Sequence, residues 1–167
     1  MATLEKAKTR DEVEEKYKWK VDKMYATDEK WEEDFKNLKE KAPSLLGFKG
    51  QLNVGPKLLD YLHQYEELGS LYEDLVVYAH LRSDEDKSNS KYQVMMDKIS
   101  TFGAELSGIV SFFLPELLSM EVEEVKKLIE NTAGLKHYER YITNIFEGKP
   151  HILSEAEENI LANVSDC

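Results

Sequence analysis

Cysteine is nearly absent from this chain, because the only one, Cys167, is the last of its 167 residues. An internal disulfide is therefore impossible, and the sequence gives no support to an oxidising compartment. No uninterrupted apolar run approaches the roughly 18 residues of a membrane span, and the first residues lack the apolar core of a signal peptide. These absences predict a cytoplasmic protein without a membrane partner.

Positive charge is also scarce. The chain has 22 Lys and Arg residues against 33 Asp and Glu residues, which gives a formal net charge of −11. A surface field of this sign repels phosphate backbones and anionic lipid headgroups. Nucleic acid is therefore not expected as a partner.

One short segment departs from this acidic character. From Lys16 to Asp22, charged and apolar residues alternate strictly, and this period of two predicts a short extended arm with one buried face. Interleaved basic and aromatic residues can also stack single-stranded bases. The overall negative charge disfavours that second interpretation.

Helical periodicity accounts for most of what remains. Apolar residues recur every three or four positions between capping residues at one end and Pro or Gly at the other. The pattern predicts a first helix from Thr27 or Asp28 to just before Pro43. A second helix of about 25 residues, near 38 Å long, is expected from position 56 to a polar break at 83.

A third long helix is expected to begin at Asn89 or Ser90 and to end at Pro115. The short link before it predicts that the second and third helices form an antiparallel hairpin. Gly103 and Gly108 lie inside the third helix, where glycine costs about 1 kcal/mol relative to alanine. Close packing of a neighbouring helix would explain them, and a kink is the alternative.

Shorter amphipathic segments follow, with apolar positions at 122–129 and 138–146, and a capping box at Ser154 and Glu157 opens a last helix. No repeat of fixed period is found, which disfavours a solenoid. The predicted class is all-α: an antiparallel long-helix hairpin with additional short helices and a short extended N-terminal arm.

Motifs that carry chemistry are missing. A zinc-peptidase helix needs His-Glu-x-x-His, but no histidine here is followed by glutamate. A carboxylate-bridged di-metal bundle needs two Glu-x-x-His motifs, and Asp60 with His63 supplies only half of one. His80, at the end of a helix, suits a structural capping role. No catalytic, cofactor-binding or metal-binding residue is therefore predicted.

Neither a nucleophile turn nor a phosphate-binding loop occurs either. The acidic run Asp84-Glu85-Asp86 lacks the glycine and the distal glutamate of a calcium loop. A run of charges between helices is most often a solvated link.

Four separated segments resemble the amino-terminal region of bacterial oligoendopeptidase F, a family of zinc metallo-endopeptidases that cleave short peptides inside a channel. The segments appear in the same order as in that family, which along this chain is Phe48-Lys49-Gly50-Gln51-Leu52, Tyr78 to Tyr92, Phe112-Phe113-Leu114-Pro115-Glu116-Leu117 and Lys149 to Glu155. Lys16 to Trp19 and Asp28 to Trp31 resemble that region as well, so the similarity begins near Arg10.

The resemblance implies a domain arrangement and a role. Residues 1–15 would be a polar tail, 16–118 a helical amino-terminal lobe, and 119–167 the start of a second helical subdomain. The zinc ligands and catalytic glutamate of the family lie in a carboxyl-terminal lobe without counterpart in these residues. The implied role is part of the channel wall, and Tyr78, His80 and Arg82 are left open as channel-lining residues.

The resemblance also implies partners. These are an oligopeptide substrate and the catalytic lobe of the same protein, which would hold the zinc. An endpoint inside a capped helical segment fits a piece of a larger enzyme. The isolated chain is expected to have no activity, and a stand-alone helical interaction module is the alternative.

One candidate interface is predicted directly from the residues. Phe112, Phe113 and Leu114 are more apolar residues in succession than one helix face buries in a small bundle, so part of this patch could meet the absent lobe. Complete burial of all three in the core is the competing interpretation.

Overall fold

The computed structural model describes residues 12–149, and the chain is all-α, as predicted. No strand occurs in this range. In chain order the helices are α1 (Asp28–Lys41), α2 (Gly55–Glu85), α3 (Ser90–Val110), α4 (Phe113–Leu118), α5 (Val122–Asn131) and α6 (Glu139–Gly148).

Packing divides the described chain into two compact units. The first contains residues 12–47 and 63–110, and the second contains 48–62 and 111–149. Helix α2 runs through both. This division differs from the predicted domain boundaries, which follow the family resemblance and stay a prediction.

The first unit is built on α1, α3 and most of α2. Trp31 of α1 is fully buried, and its indole Nε1 donates a hydrogen bond of 2.9 Å to the carbonyl oxygen of Leu75 in α2. Trp31 stacks on Phe35 with a centroid distance of 5.3 Å, and Phe35 meets the edge of Phe102 in α3 at 5.8 Å. The three helices therefore share one aromatic core.

Helices α2 and α3 form the predicted antiparallel hairpin. Gln93 donates a hydrogen bond to Ser83 near the link, and Tyr72 lies against Phe102 further along. A Cβ atom at Gly103 would collide with the hydroxyl of Tyr72, which confirms close packing there. At Gly108 no neighbouring atom lies within 4 Å of such a Cβ atom, so packing inside the described fold does not explain that glycine.

The second unit surrounds the fully buried ring of Tyr61. Phe113 stacks on this ring at a centroid distance of 4.8 Å, while Phe48 and Phe112 meet it edge-on at 5.8 and 5.7 Å. Helices α5 and α6 complete the core with Val125, Ile129 and Ile142. Both helices match the predicted segments.

Two predicted helix limits are wrong. Helix α2 has 31 residues and continues to Glu85, beyond the predicted end at Ser83. The polar residues from Ser83 to Glu85 stay helical, so polarity alone does not end this helix. Helix α3 ends at Val110, and Pro115 lies in the first turn of α4. A helix's first turn has no need of the missing proline N–H, so Pro115 fits there without stopping the chain.

The arm at residues 16–22 was predicted to be extended with one buried face, and this is wrong in detail. Single turns of 3-10 helix occupy Glu15–Tyr17 and Val21–Lys23. Tyr17 and Trp19 are mostly exposed, whereas Val21 is buried. Local turns change the side-chain direction, so alternation in the sequence does not produce alternation in space.

One stretch, Ser90–Leu118, is long and apolar enough to cross a membrane by length and composition. This is weak evidence, because a core helix of a soluble protein passes the same criterion. The finding nevertheless disagrees with the expectation that no apolar run approaches the length of a membrane span. The capping box at Ser154, together with His151 and Cys167, lies outside the described residues.

Candidate functional site

In residues 12–149, the histidines and the acidic run lie apart from one another in chemical terms: the histidines face solvent, and the carboxylates have partners of their own. His63, His80 and His137 are all exposed. No group of three His, Cys, Asp or Glu side chains in this part of the chain is arranged to hold a metal ion. The prediction that this chain carries no catalytic or metal-binding residue remains a prediction.

The three carboxylates of the acidic run have separate partners. Asp84 lies 3.5 Å from the ammonium of Lys87. Glu85 accepts a hydrogen bond of 3.2 Å from Nη1 of Arg82, and Asp86 accepts hydrogen bonds from the backbone and hydroxyl of Ser88. The run is a structured helix link, and its charges do not converge on one point.

A polar network, which we call the Asp28 network, holds this link to the start of α1. The phenol of Tyr78 donates a hydrogen bond of 2.7 Å to Oδ1 of Asp28, and Nε of Arg82 donates one of 3.0 Å to the Tyr78 oxygen. Lys91, at the start of α3, lies 2.8 Å from Oδ2 of Asp28. The carboxylate thus joins the ends of three helices.

Aromatic rings enclose the guanidinium in this network. The Arg82 guanidinium carbon lies 5.3 Å from the ring centroid of Tyr78 and 5.6 Å from that of Tyr92. Such cation–π contacts gain strength when they are partly desolvated. Tyr78 itself is fully buried, so within the first unit it is a packing residue, while His80 faces outward.

The network also shifts the acidity of its members. Burial, together with the hydrogen bond to Asp28, raises the pKa of Tyr78 to about 12. Partial burial alone would raise the pKa of Asp28, but hydrogen bonds from Lys91 and Tyr78 hold this pKa below its usual value. The carboxylate is therefore charged and the phenol neutral at physiological pH, which suits a structural link.

A second carboxylate plays a similar part in the second unit. Oε2 of Glu116 accepts a hydrogen bond of 2.8 Å from the backbone N–H of Gly50, and Oε1 accepts one of 2.9 Å from that of Leu52. Gly50 has a φ angle of 79°, a conformation that glycine adopts without steric cost. Glu116 therefore fixes a loop whose turn requires this glycine.

The predicted interface patch is divided by the fold. Phe112 and Phe113 are 9% and 7% exposed and pack on Tyr61, whereas Leu114 is 43% exposed. The first two residues are thus committed to the core of the second unit. A docking role for the patch stays a prediction, and Leu114 supplies most of its accessible surface.

The roles of Asp28 and Glu116 are not predicted from the sequence. Local pattern marks Asp28 only as a possible helix cap and does not mark Glu116 at all. Both lie inside segments that resemble oligoendopeptidase F, and each binds another such segment: Asp28 contacts Tyr78, and Glu116 contacts Gly50. For Glu116, a charged residue inside the otherwise apolar segment 112–117 is the signal that could have identified it; Asp28 lies among other charged residues, so no such signal marks it.

Comparison with known proteins agrees with this resemblance. The sequence model of the family described as oligopeptidase F matches residues 116–167. The chain is 34% identical to oligopeptidase PepF of Bacillus subtilis over 165 residues, which covers 94% of this chain and 24% of PepF. It is thus related to this family over nearly its whole length.

Solved structures give the same result for the fold. The crystal structure of oligoendopeptidase-F from Enterococcus faecium matches 84% of this chain and 28% of that protein, with a TM-score of 0.71 and 27% identity. A putative peptidase from Chlamydophila abortus matches 95% of this chain and 27% of its own, with a TM-score of 0.79 and 23% identity. The chain spans about a quarter of the length of the curated relatives that it matches.

Proposed function

We propose that this chain, a relative of oligoendopeptidase F, acts as the non-catalytic amino-terminal lobe of a zinc metallo-endopeptidase and forms part of the wall of a channel that admits short peptides. The observation that carries the proposal is the extent of the similarity, 94% of this chain against 24% of PepF. In this proposal the chemistry and the zinc belong to the remaining part of the enzyme, whose catalytic lobe is the chain's main partner.

The structure of the first unit supports a wall function. Helices α2 and α3 are long and antiparallel, and the Asp28 network fixes their linked ends to α1. A wall that keeps its shape excludes folded proteins by size while it admits flexible peptides. We further propose that the enzyme acts in the cytoplasm on oligopeptides.

Metal content and peptidase activity test the proposal. The purified 167-residue chain is expected to hold no stoichiometric zinc by plasma mass spectrometry and to leave a quenched fluorescent peptide intact. The longer product of the same reading frame should hold zinc and cleave that peptide, with inhibition by a chelator. Zinc at one atom per isolated chain, or cleavage by that chain, would refute a non-catalytic role.

Substrate size tests the channel wall in the longer product. The same cleavable sequence is offered once as a free peptide and once within a surface loop of a stably folded protein. We expect cleavage of the free peptide alone, because a folded carrier cannot enter a channel. Equal cleavage of both substrates would exclude a wall that selects by size.

The competing candidate is a stand-alone helical interaction module, and the groove between α2 and α3 favours it. This groove has a volume of about 460 Å³ and is lined by Leu45, Leu68, Leu106 and Val110 among others. A reading frame without His-Glu-x-x-His beyond the codon for Cys167 would favour the module, and its presence would favour the peptidase lobe.

A further inference from the structure

Helix α3 has an outward face of unusual composition for this protein. From position 99 to 110 it contains one charged residue, Glu105, although 33% of all residues are charged. Within the stretch Ser90–Leu118, only 17% of the most apolar 18-residue window is buried inside the described fold. The low charge therefore does not come from burial within the described fold.

Small residues form a continuous line on this face. We call them the α3 seam: Ser100, Gly103, Ala104, Ser107 and Gly108. Small side chains at intervals of three and four let a second helix backbone approach closely. Gly103 serves the internal contact with Tyr72, but Gly108 has open space where a side chain would stand.

One polar side chain of the seam already has a partner. The hydroxyl of Ser107 donates a hydrogen bond of 2.9 Å to the carbonyl oxygen of Gly103 in its own helix, so covering it would not strand a donor. Ser100, Gly103 and Ser107 also line the groove of about 460 Å³ beside Tyr72 of α2. Glu73 is the one charged residue among the described residues that line the groove, and an exposed face of such low charge next to a groove is typical of an interface.

We propose that the α3 seam and this groove receive an uncharged, largely apolar helix from the remaining part of the oligopeptidase. The inference rests on the proposed function, since the relatives are about four times as long as the part that this chain matches. A second copy of this chain is disfavoured as the occupant, because both copies would carry a net charge of −11 and the groove itself is lined by Glu73.

Single-thiol variants of the longer protein test the proposal, with Cys167→Ser as background. Ser107→Cys places the thiol on the seam, and Asp97→Cys places a matched thiol on the same helix about 15 Å away by helical rise. Both positions are exposed in the first unit. Each variant is reacted with N-ethylmaleimide, both in the isolated chain and in the longer protein.

The two thiols should react at similar rates in the isolated chain. In the longer protein we expect the rate at position 107 to fall by about tenfold or more, because reaction requires local opening, while position 97 keeps its rate. Unchanged reaction at 107 in a longer protein that still cleaves peptides would overturn the seam and leave the proposed function standing.

Other occupants give different results, and each would overturn the proposal. A second copy would be the occupant if position 107 of the isolated chain becomes more protected as the protein concentration rises and sedimentation velocity shows a dimer. Protection of the isolated chain only by neutral phosphatidylcholine vesicles would assign it to a bilayer. A longer protein without zinc or peptidase activity would refute the proposed function and the seam partner together.

Discussion

Alanine at Gly108 should stabilise this protein, whereas alanine at Gly103 should not. Both positions lie inside α3, where replacing glycine by alanine gains about 1 kcal/mol of helix propensity. At Gly108 the new methyl group would meet nothing within 4 Å. The free energy of unfolding of Gly108→Ala should therefore rise by about 1 kcal/mol.

At Gly103 the same methyl group would collide with the hydroxyl of Tyr72 and lie 3.3 Å from its Cζ atom. The ring of Tyr72 must then shift, which disturbs its contact with Phe102 at a centroid distance of 6.5 Å. Overpacking of this kind costs about 1–3 kcal/mol, which equals or exceeds the propensity gain. Gly103→Ala should therefore be neutral or destabilising by up to about 2 kcal/mol.

Urea unfolding followed by far-ultraviolet circular dichroism measures both changes. Tyr72→Phe provides the control, because it removes the colliding oxygen. The double variant, Tyr72→Phe with Gly103→Ala, should lose less stability than the sum of the losses in the two single variants. Equal stabilisation by both alanines would show that Tyr72 yields without cost. Destabilisation by Gly108→Ala would contradict the open space assigned to that position.

Three further predictions concern the polar links and the patch. Glu116→Gln should lower the free energy of unfolding by about 1–3 kcal/mol, because the amide N–H₂ would face a backbone donor, and urea titration checks this. Asp28 has a lowered pKa, so its stabilisation is complete above the unfolded value of about 4 and is lost as the pH falls through the folded pKa. The stability difference between Asp28→Asn and the parent should accordingly shrink in acid, and a constant difference would contradict the link. Leu114→Ser should leave stability within about 0.5 kcal/mol but weaken any self-association seen in sedimentation, whereas Phe112→Ser should unfold the second unit.

Local sequence determined the helices well where capping residues and period agreed. Asn89 was one of two predicted caps for α3, and its side chain does accept a hydrogen bond from the backbone N–H of Lys91. A predicted helix end is wrong where it rests on a single residue type. Pro115 predicts the end of a helix, yet a helix accepts proline in its first turn, and Pro115 lies in the first turn of α4.

The side chains that fix the fold were harder to predict. Tyr78 is left open by the sequence as a channel-lining residue, yet it is fully buried. Tyrosine combines a large ring with a polar oxygen, and whether it is buried depends on partners elsewhere in the chain. For Tyr78 that partner is Asp28, at a sequence separation of 50 residues, which no local pattern encodes.

The sequence by itself determined the all-α class, the long hairpin and the family resemblance, because helical period, capping and short shared segments are local properties. Only the tertiary structure decided which of those segments meet. Asp28 binds Tyr78 and Glu116 binds Gly50, so separate motifs hold one another in place. It also separated Gly103, which packs against Tyr72, from Gly108, which faces open space. The physical reason is that contact between distant residues depends on how the helices pack, and helix packing is set by the whole core.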